Sequence, residues 1–409
     1  MRFARLIPIV LLCAVPVRAD VQVGPASSPA QTEEDDYTRY ELLAPDTQQF
    51  AIVYDVTATT PGARYYFNAI RRGSEATDER VIDLMTGESL KFDVVSGADA
   101  KQGGHPRADA DTSYIRIHLP RPVPKDGEVR LRIWKTYKDP KSYYRQGDLI
   151  VFDRSLGIRR NAIVLPPGYE LVSCNVPSQV LRDGDGRIKV SFLNTSAAAA
   201  PLVVRARPSK QAAAAVAIPP AFRSRLGERA FQDREIVYFL QPPETHAFSL
   251  YHDYTESREG VDKYLNVVRA GSTVSNPSAR LLDTGETLKT EILKGPAITA
   301  AKIDIGEQVR PDTEVVVIHF PPVKKGQSVR LRISETYTDP ERYRLDGDTL
   351  VWDRGFGRPR NTVVLPAGWS LVDSAIPAVV TETDDGRVRL YFENNRPDEI
   401  ATLVRARRR

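Results

Sequence analysis

The chain contains one long segment twice, and this duplication limits the possible folds more than any other feature of the sequence. Residues 129–172 and 329–372 align without a gap, and 24 of the 44 paired positions are identical. Both copies contain the patterns T-Y-x-D-P, G-D-x-x-V-x-D-R, R-N and V-L-P-x-G in the same order. The offset of 200 residues is as long as a domain. The sequence therefore predicts a tandem duplication and not a solenoid of short units.

The similarity between the copies extends beyond this segment and sets the predicted domain boundaries. Matching residues near the start of each copy include Tyr40 with Tyr238, and both copies end in the sequence V-R-A-R. The predicted organisation is a first repeat over residues 37–207, a linker over residues 208–234 and a second repeat over residues 235–409. The linker is rich in alanine and proline and leaves room for one short helix.

The first 36 residues are predicted to lie outside both repeats. Residues 1–19 combine a basic start, a short apolar stretch and a small-residue site before Asp20, which is typical of a cleaved secretory signal peptide. A bilayer-spanning helix needs about 20 apolar residues, so no transmembrane segment is expected in the mature protein, which is predicted to be periplasmic or secreted. Residues 20–36 are polar and acidic and are predicted to form a flexible arm.

Removal of the signal peptide would change the charge and the cysteine count. The formal net charge is +4, and it falls to +1 without the three arginines of residues 1–19. A near-neutral body argues against nucleic-acid binding, which requires a basic surface. Cys13 would be removed as well, and Cys174 alone cannot form an intrachain disulfide. The repeats, at about 170 residues each, must therefore be stabilised by their apolar cores.

Short segments of alternating apolar and polar residues predict that both repeats are all-β. Residues 114–119, 129–133 and 187–192 alternate with period two and have counterparts in the second repeat. Turn sequences such as D-G-D-G at residues 183–186 separate these segments, and neither repeat contains a convincing amphipathic helix. The predicted fold is two tandem homologous antiparallel β-sandwich domains, each more consistent with one large sandwich than with two small ones.

Aspartate, arginine and asparagine recur at fixed positions of the repeated segment. They are Asp153, Arg154, Arg160 and Asn161 in the first copy, and Asp353, Arg354, Arg360 and Asn361 in the second. An Asp–Arg pair beside an asparagine that binds loop backbone would clamp the chain, which favours a structural clamp made by Asp153, Arg154 and Asn161. The alternative is an anion or carboxylate site at Arg160 and Arg360. Because arginine stays protonated, these residues cannot perform acid–base chemistry alone.

Tyr143 and Tyr343 are the aromatic candidates for ligand or partner binding. Most other rings of the repeated segment flank apolar strands, which indicates that they belong to the core. These two tyrosines follow Asp-Pro in a polar stretch, and we expect them to be exposed. Exposed rings stack on sugars or anchor a protein partner.

The sequence contains no recognised catalytic or metal-binding motif. H-E-x-x-H, G-x-S-x-G, the P-loop and the dinucleotide fingerprint are all missing, and no cofactor or metal is expected. His118 and His319 share one strand position without a second ligand nearby, and the D-G-D-G turn lacks the further carboxylates of a calcium loop. A glycosidase-type carboxylate pair stays open because its members need not be close in sequence. Asp139, Asp148, Asp153 and their counterparts are available for it.

The order of features in each repeat resembles the N-terminal β-sandwich domain of zinc aminopeptidases of the gluzincin group. The shared elements are an opening tyrosine strand with a proline turn (residues 40–50 and 238–248), an Ile-x-Leu-Pro strand (residues 117–120) and a final V-L-P-x-G strand followed by Tyr or Trp. The resemblance implies a β-sandwich accessory module. The sequence has no counterpart of the catalytic domain of that family and no zinc motif, so the resemblance assigns no functional residue.

These observations favour a non-enzymatic exported protein that acts as a binding or scaffolding module in the cell envelope. Two tethered copies would raise the avidity for a repetitive target. One alternative is a carbohydrate-binding module that uses the loop aromatics, and the other is a glycoside or other hydrolase with an unrecognised carboxylate pair. The expected partner is an envelope protein or a glycan. The sequence predicts neither the identity of the ligand nor the oligomeric state.

Overall fold

The computed structural model describes residues 31, 33–196, 198–209 and 227–409. The predicted signal peptide, most of the predicted arm and the alanine-rich part of the linker lie outside the described residues, as does the short helix expected in the linker. Within the described ranges, no helix is long and apolar enough to cross a membrane.

The first repeat consists mainly of short strands. Its strands are β1 (Glu33–Leu42), β2 (Gln49–Ala58), β3 (Tyr65–Ala69), β4 (Glu75–Asp83), β5 (Phe92–Ser96), β6 (Ser113–His118), β7 (Val129–Lys138), β8 (Tyr143–Gln146), β9 (Leu149–Leu156), β10 (Arg160–Val164), β11 (Tyr169–Cys174), β12 (Gln179–Arg182), β13 (Ile188–Leu193) and β14 (Ala200–Pro208). A short helix, α1 (Gly97–Gln102), follows β5. The large sheet has the order β12-β13-β10-β1-β2-β7-β4, and two smaller sheets have the orders β11-β14-β9-β8 and β3-β6-β5.

The second repeat has the same plan. Its strands are β15 (Glu235–Leu240), β16 (Ala247–Glu256), β17 (Lys263–Val267), β18 (Thr273–Leu281), β19 (Thr287–Leu288), β20 (Thr290–Lys294), β21 (Glu314–His319), β22 (Val329–Thr338), β23 (Tyr343–Asp346), β24 (Thr349–Phe356), β25 (Arg360–Val364), β26 (Trp369–Ser374), β27 (Val379–Glu382), β28 (Val388–Glu393) and β29 (Ile400–Arg408). Helix α2 (Pro296–Ala300) follows β20. The sheet orders are β19-β18-β22-β16-β15-β25-β28-β27, β23-β24-β29-β26 and β17-β21-β20.

The all-β prediction is confirmed, but the large sheet of each repeat contains one parallel pair. Strand β1 runs parallel to β10, with Tyr40 opposite Ile163. Strand β15 runs parallel to β25 in the same way, with Tyr238 opposite Val363. A parallel pair requires a long crossover connection, and strands β2 to β9 of the first repeat occupy that connection. Among the described strands, the other pairs are antiparallel, so this pair is the one departure in each repeat from the predicted antiparallel arrangement.

One apolar core joins the three sheets of each repeat. In the first repeat, alternate residues of β7 are buried on one face, among them Val129, Leu131, Ile133 and Tyr137. The same core includes residues of β3 and β6 from the three-stranded sheet and of β9 and β14 from the four-stranded sheet. The second repeat has an equivalent core. Each repeat also has a small separate apolar cluster around its short helix and three-stranded sheet. One main core that joins all three sheets agrees with one large sandwich better than with two small ones.

The end of the predicted flexible arm belongs to the large sheet. The backbone of Glu33 and Glu34 pairs with Ala58 and Thr57 of β2. A β-bulge then shifts the register before Tyr37. The expectation of a free arm up to residue 36 is therefore wrong for its last residues, because the sheet satisfies their backbone hydrogen bonds.

The described end of the linker is packed between the two repeats. Glu228 accepts hydrogen bonds of 2.9 Å from the hydroxyls of Tyr37 and Ser191 in the first repeat. Arg229 donates through Nη2 to the carbonyl oxygen of Gly357 in the second repeat, at 2.9 Å. These residues connect both repeats through charged hydrogen bonds. The described part of the predicted linker, residues 227–234, is therefore held in place by both repeats.

The repeats also contact each other directly through equivalent loops in a nearly two-fold arrangement. The backbone N–H of Glu128 donates to the carbonyl oxygen of Leu282 at 2.8 Å. Ser328, which is equivalent to Glu128, donates its N–H to the carbonyl oxygen of Met85 at 3.2 Å. A Cβ atom on Gly87 would lie only 2.7 Å from a carbonyl oxygen of the opposite loop. The loops therefore approach each other to backbone contact.

Two arginines and two carboxylates form a buried network in this interface. Arg130 donates through Nε and Nη2 to the two carboxylate oxygens of Asp283, at 2.7 and 2.9 Å. Asp283 also accepts from the backbone N–H of Arg330 at 2.9 Å. Nε of Arg330 lies 3.2 Å from Oε1 of Glu128. All four side chains are buried, so the contacts Arg130–Asp283 and Arg330–Glu128 join the two repeats away from water.

Candidate functional site

The two tyrosines predicted to be exposed are buried in the core. The side chains of Tyr143 and Tyr343 have an exposed fraction of 0%. Tyr143 lies opposite Phe152 in the hairpin of β8 and β9, and its hydroxyl donates to the carbonyl oxygen of Leu43 at 2.9 Å. The hydroxyl of Tyr343 donates to the carbonyl oxygen of Gln241 in the same way. The prediction of a loop-aromatic site is therefore wrong, because neither ring can reach a ligand from solvent.

The predicted clamp forms with a different carboxylate. In both repeats the arginine is buried, and its Nη1 lies 3.0 Å from Oδ2 of the aspartate that precedes proline. These pairs are Arg154–Asp139 and Arg354–Asp339. The aspartates that were expected to pair, Asp153 and Asp353, are exposed. The prediction of an Asp153–Arg154 pair is wrong because consecutive side chains of a strand point to opposite faces of the sheet.

The asparagines of the motif bind loop backbone. Nδ2 of Asn161 donates to the carbonyl oxygen of Ile158 at 2.7 Å, and Nδ2 of Asn361 donates to that of Arg358 at 2.9 Å. In each repeat this hydrogen bond spans the tight turn that leads into β10 or β25. The asparagine therefore fixes the path of the turn that follows the buried arginine.

Arg160 and Arg360 contact the linker. Nη1 of Arg160 donates to the carbonyl oxygen of Phe231 at 3.2 Å, and Nη2 of Arg360 donates to that of Asp233 at 3.1 Å. Both side chains are buried. The alternative of an open anion site on these two residues is wrong, because their guanidinium groups bind backbone of the linker instead.

The remaining aspartates and histidines that the sequence offers as site residues do not come together in one site. Asp139 and Asp339 belong to the clamp, and the others lie in turns or in the three-stranded sheets. Asp148 and Asp348 lie on exposed turns between neighbouring strands. His118 and His319 each lie beside a carboxylate of the three-stranded sheet, at 3.2 and 2.7 Å. Among the described residues, no group of three or more His, Cys, Asp or Glu side chains could hold a metal ion.

A cleft in the first repeat lies between the large sheet and the three-stranded sheet. Its volume is about 560 Å³, which is within the usual range for small-molecule sites. Tyr40, Tyr66, Phe67, Tyr114 and Tyr137 supply much of its apolar wall. The cleft therefore offers aromatic surface to a ligand of moderate size.

The charged groups of this cleft are all cationic. Lys135, Arg71, Arg72 and Arg154 line it, and its lining residues include no aspartate or glutamate. Arg154 is neutralised from behind by Asp139, and Arg72 pairs with carboxylates outside the cleft. Among the described residues, Lys135 and Arg71 take part in no ion pair, so the cleft retains a positive charge.

Lys135 is a buried amine in the wall of the cleft. Its Nζ lies 2.5 Å from Oδ1 of Asn68 and 4.8 Å from the centre of the Tyr137 ring. Burial and the nearby positive charge of Arg154 together lower the pKa of Lys135 to about 7. A buried amine with this pKa gains a proton readily when a negative charge approaches.

An equivalent cleft in the second repeat carries the opposite charge at the same position. Its volume is about 320 Å³, and Glu335 occupies the place of Lys135. Nδ2 of Asn266 donates to Oε2 of Glu335 at 2.7 Å, whereas Asn68 presents its oxygen to Lys135. An amide side chain offers an acceptor and a donor, so one asparagine position serves either charge. Burial raises the pKa of the Glu335 carboxyl.

The sequence contained a signal for these buried charges. Lys135 and Glu335 each lie two residues before a buried tyrosine and two residues after a buried isoleucine, on strands with period two. A charged residue in phase with the apolar face of a strand is predicted to face the core. The period-two pattern predicts the strands β7 and β22. The charged residues at positions 135 and 335 fall on the apolar face of that pattern, and this is the sequence signal for the two clefts.

Comparison with known proteins gives only distant likenesses. No protein-family model and no curated protein matches the chain. The M1 zinc metallopeptidase from Deinococcus radiodurans is similar in structure over 47% of this chain and 51% of its own, with 9% identity and a TM-score of 0.29. An aminopeptidase N family protein from Idiomarina loihiensis is similar over 42% of this chain and 29% of its own, with 9% identity and a TM-score of 0.26.

The chain thus spans about half the length of the first of these proteins and less of the second. The resemblance to zinc aminopeptidases that the sequence predicted is confirmed as a weak structural resemblance. Identities and TM-scores this low establish neither a family nor an activity for this chain.

Proposed function

We propose that the protein is an exported, non-enzymatic binding module whose first repeat binds a small organic anion in the cleft of Lys135. The observation that supports this proposal is a buried amine in a cleft whose lining residues include four cationic side chains and no carboxylate. A bound carboxylate or phosphate group would pair directly with Lys135, which forms no ion pair among the described residues and feels only the more distant charge of Glu79. The charge of the bound group would replace part of the hydration that burial removes from the amine.

The aromatic wall favours an anion that carries a flat apolar group. Tyr66 and Phe67 of β3 and Tyr40 and Tyr137 of the large sheet all line the cleft. Aromatic surface contributes most of the binding energy in small-molecule sites, while a few polar groups fix the orientation of the ligand. An aromatic carboxylate or phosphate ester therefore fits both halves of the cleft.

The chemistry of the cleft favours binding over hydrolysis. General acid–base cleavage of a glycoside uses two carboxyl groups, and the lining residues of this cleft supply none. The glycan alternative relied on Tyr143 and Tyr343, which are buried. The hydrolase alternative remains an untested prediction for other parts of the chain.

We expect benzoate and phenyl phosphate to bind the chain lacking residues 1–19, with one site per chain, as measured by isothermal titration calorimetry. Lys135→Met should weaken this binding at least about tenfold, because a charge-assisted hydrogen bond contributes about 1.5–3 kcal/mol. Above pH 7 the affinity should fall by up to about tenfold per pH unit, because the free amine must take up a proton when the anion binds. Titrations in buffers of different ionisation enthalpy should detect that proton.

Two controls separate this site from nonspecific attraction. Methyl benzoate, which has the same ring without the charge, should bind at least about tenfold more weakly than benzoate. Glu335→Gln, in the cleft of the second repeat, should leave the benzoate affinity unchanged. Equal affinity of folded Lys135→Met and of the unsubstituted chain for benzoate would contradict the proposed site.

A second candidate function, protein assembly, is favoured by a repeated apolar surface. Val172, Val180, Val372 and Val380 are 44–54% exposed, and they occupy equivalent positions on β11, β12, β26 and β27. Each of these strands is the last strand of its sheet. An open sheet edge with exposed valines can accept an extended segment of a partner protein.

We expect Val180→Lys/Val380→Lys to abolish capture of any envelope protein that binds through these edges, in pull-downs with the chain lacking residues 1–19. A charged side chain on an edge strand opposes strand addition. Lys135→Met is the matched control, since it lies in the interior, and it should retain the partner. Capture of the same proteins by all three chains would exclude the valine surface as the binding site.

A further inference from the structure

The cleft of the second repeat contains two buried polar atoms that have no hydrogen-bond partner among the described residues. They are Nε2 of His252 and Oε1 of Glu335. Both side chains line this cleft, and their exposed fractions are 2% and 3%. A buried polar atom without a partner typically costs about 1–3 kcal/mol. Two such atoms in one cavity of about 320 Å³ are typical of a site that a ligand completes.

The hydrogen-bonding role of His252 follows from its neighbour. Nη2 of Arg358 lies 3.2 Å from Nδ1 of His252. A guanidinium group can only donate, so Nδ1 accepts and the ring proton lies on Nε2. Burial and the charge of Arg358 hold the pKa of His252 well below its usual value, and the ring stays neutral. Nε2–H is therefore a donor in the wall of the cleft.

Glu335 provides the complementary acceptor. Its Oε2 accepts from Asn266 at 2.7 Å, and the hydroxyl of Tyr337 also interacts with the carboxyl. Oε1 has no hydrogen-bond partner among the described residues and can accept from a ligand. Leu250 of β16 lies opposite Glu335 of β22, and His252 lies two residues further along β16. Side chains in this diagonal arrangement are about 7–8 Å apart on one face of a sheet. One small polar group placed between them can contact both.

The charge around these atoms selects against ions of either sign. The arginines that line the cleft disfavour a cationic ligand, and they are Arg234, Arg269, Arg354 and Arg358. Glu399, which also lines the cleft, pairs with Arg269 at 3.3 Å. The carboxyl of Glu335 disfavours an anion close to His252. A neutral group with an acceptor for His252 and a donor for Glu335 satisfies both positions, and a primary carboxamide carries these two functions side by side.

We propose that the cleft of the second repeat is a separate binding site for an uncharged ligand with a primary carboxamide group. The equivalent positions in the first repeat are Tyr54 and Lys135, so the two clefts differ at the residues that would select the ligand. This site does not depend on the anion site of the first repeat, and either can exist without the other.

Benzamide is the probe for this site, with N,N-dimethylbenzamide as its matched control because it lacks the N–H donor. We expect saturable benzamide binding to the chain lacking residues 1–19 in calorimetry. The affinity should be at least about tenfold lower for the dimethyl analogue and for Glu335→Met and His252→Phe, since each change removes one hydrogen bond to a buried group. Lys135→Met should leave the benzamide affinity unchanged.

Histidine NMR provides a readout that does not require a variant. In the ¹⁵N-labelled chain, His252 should appear as the neutral Nε2–H tautomer, and benzamide should shift that signal. Saturable binding of benzamide with an unshifted His252 signal would overturn the proposal. Equal binding of benzamide and its dimethyl analogue, loss of benzamide binding in folded Lys135→Met, or no saturable binding to the folded chain would overturn it as well.

Discussion

Asp283→Ala is expected to lower the free energy of unfolding by about 3–5 kcal/mol, which is the usual cost of removing one partner of a buried ion pair. Asp283 has no exposed surface and accepts two hydrogen bonds from Arg130 and one from the backbone of Arg330. The substitution leaves two buried guanidinium groups with Glu128, Asp233 and the more distant Asp253 as the acids near them. Urea denaturation measures the effect directly.

The Arg130–Asp283 pair lies between the repeats, so Asp283→Ala should also change the cooperativity of unfolding. Because the network joins the two repeats, its loss should weaken their coupling, and the single urea transition should broaden or split. Asp46→Ala is the matched control, since Asp46 forms an exposed pair with Arg145, and it should change stability by less than about 0.5 kcal/mol. A change below about 1 kcal/mol for Asp283→Ala would show that the interface does not depend on this carboxylate.

Arg354→Met is expected to destabilise the second repeat by about 3–5 kcal/mol for two reasons that act together. The substitution leaves Asp339 buried with Ser272 and Arg342 as its remaining side-chain partners. It also removes a guanidinium group that lies 5.0–5.8 Å from the centres of four aromatic rings, and such contacts contribute about 0.5–2 kcal/mol each at most. Thermal or urea denaturation provides the measurement.

A conservative variant, Arg354→Lys, tests whether the planar shape of the guanidinium group matters in addition to its charge. Arg354→Lys keeps the charge but cannot hold the same geometry against the rings, so it should cost less than Arg354→Met and still be destabilising. Arg396→Met removes an exposed pair with Asp398 and should be nearly neutral. If the folded Arg354→Met chain were as stable as the unsubstituted chain, the buried pair would not be a stabilising element of the fold.

Much of the fold could be predicted because alternating apolar and polar residues indicate a strand with one buried face, and this pattern is contained within a few consecutive residues. The pattern at residues 129–133 predicted the start of β7, and the strand continues to Lys138. The turn at residues 183–186 was predicted from D-G-D-G and connects β12 to β13. Parallel pairing of β1 with β10 depends on a contact between residues more than 100 positions apart. Local patterns contain no information about such a contact.

The candidate site was harder to predict because the exposure and the partners of its side chains depend on which face of each strand is buried. Tyr143 was assigned to a polar loop, but pairing of β8 with β9 turns it toward Phe152 and the core. Arg154 was paired with its neighbour in sequence, whereas the true partner, Asp139, lies 15 positions away on the other side of a hairpin. Lysine is usually exposed, and this general tendency masks the position of Lys135 on the apolar face of β7, between Ile133 and Tyr137.

The nearly two-fold arrangement of the repeats is the one that a symmetric dimer of single-repeat chains would form. In such a dimer one gene would place the same residue in both clefts, and any change of specificity would occur twice. Fusion of the repeats removes that restriction, and positions 135 and 335 have in fact acquired a lysine and a glutamate. With both proposed sites occupied, one chain would hold two unlike molecules in a fixed one-to-one ratio and at a fixed separation, which two identical subunits cannot do.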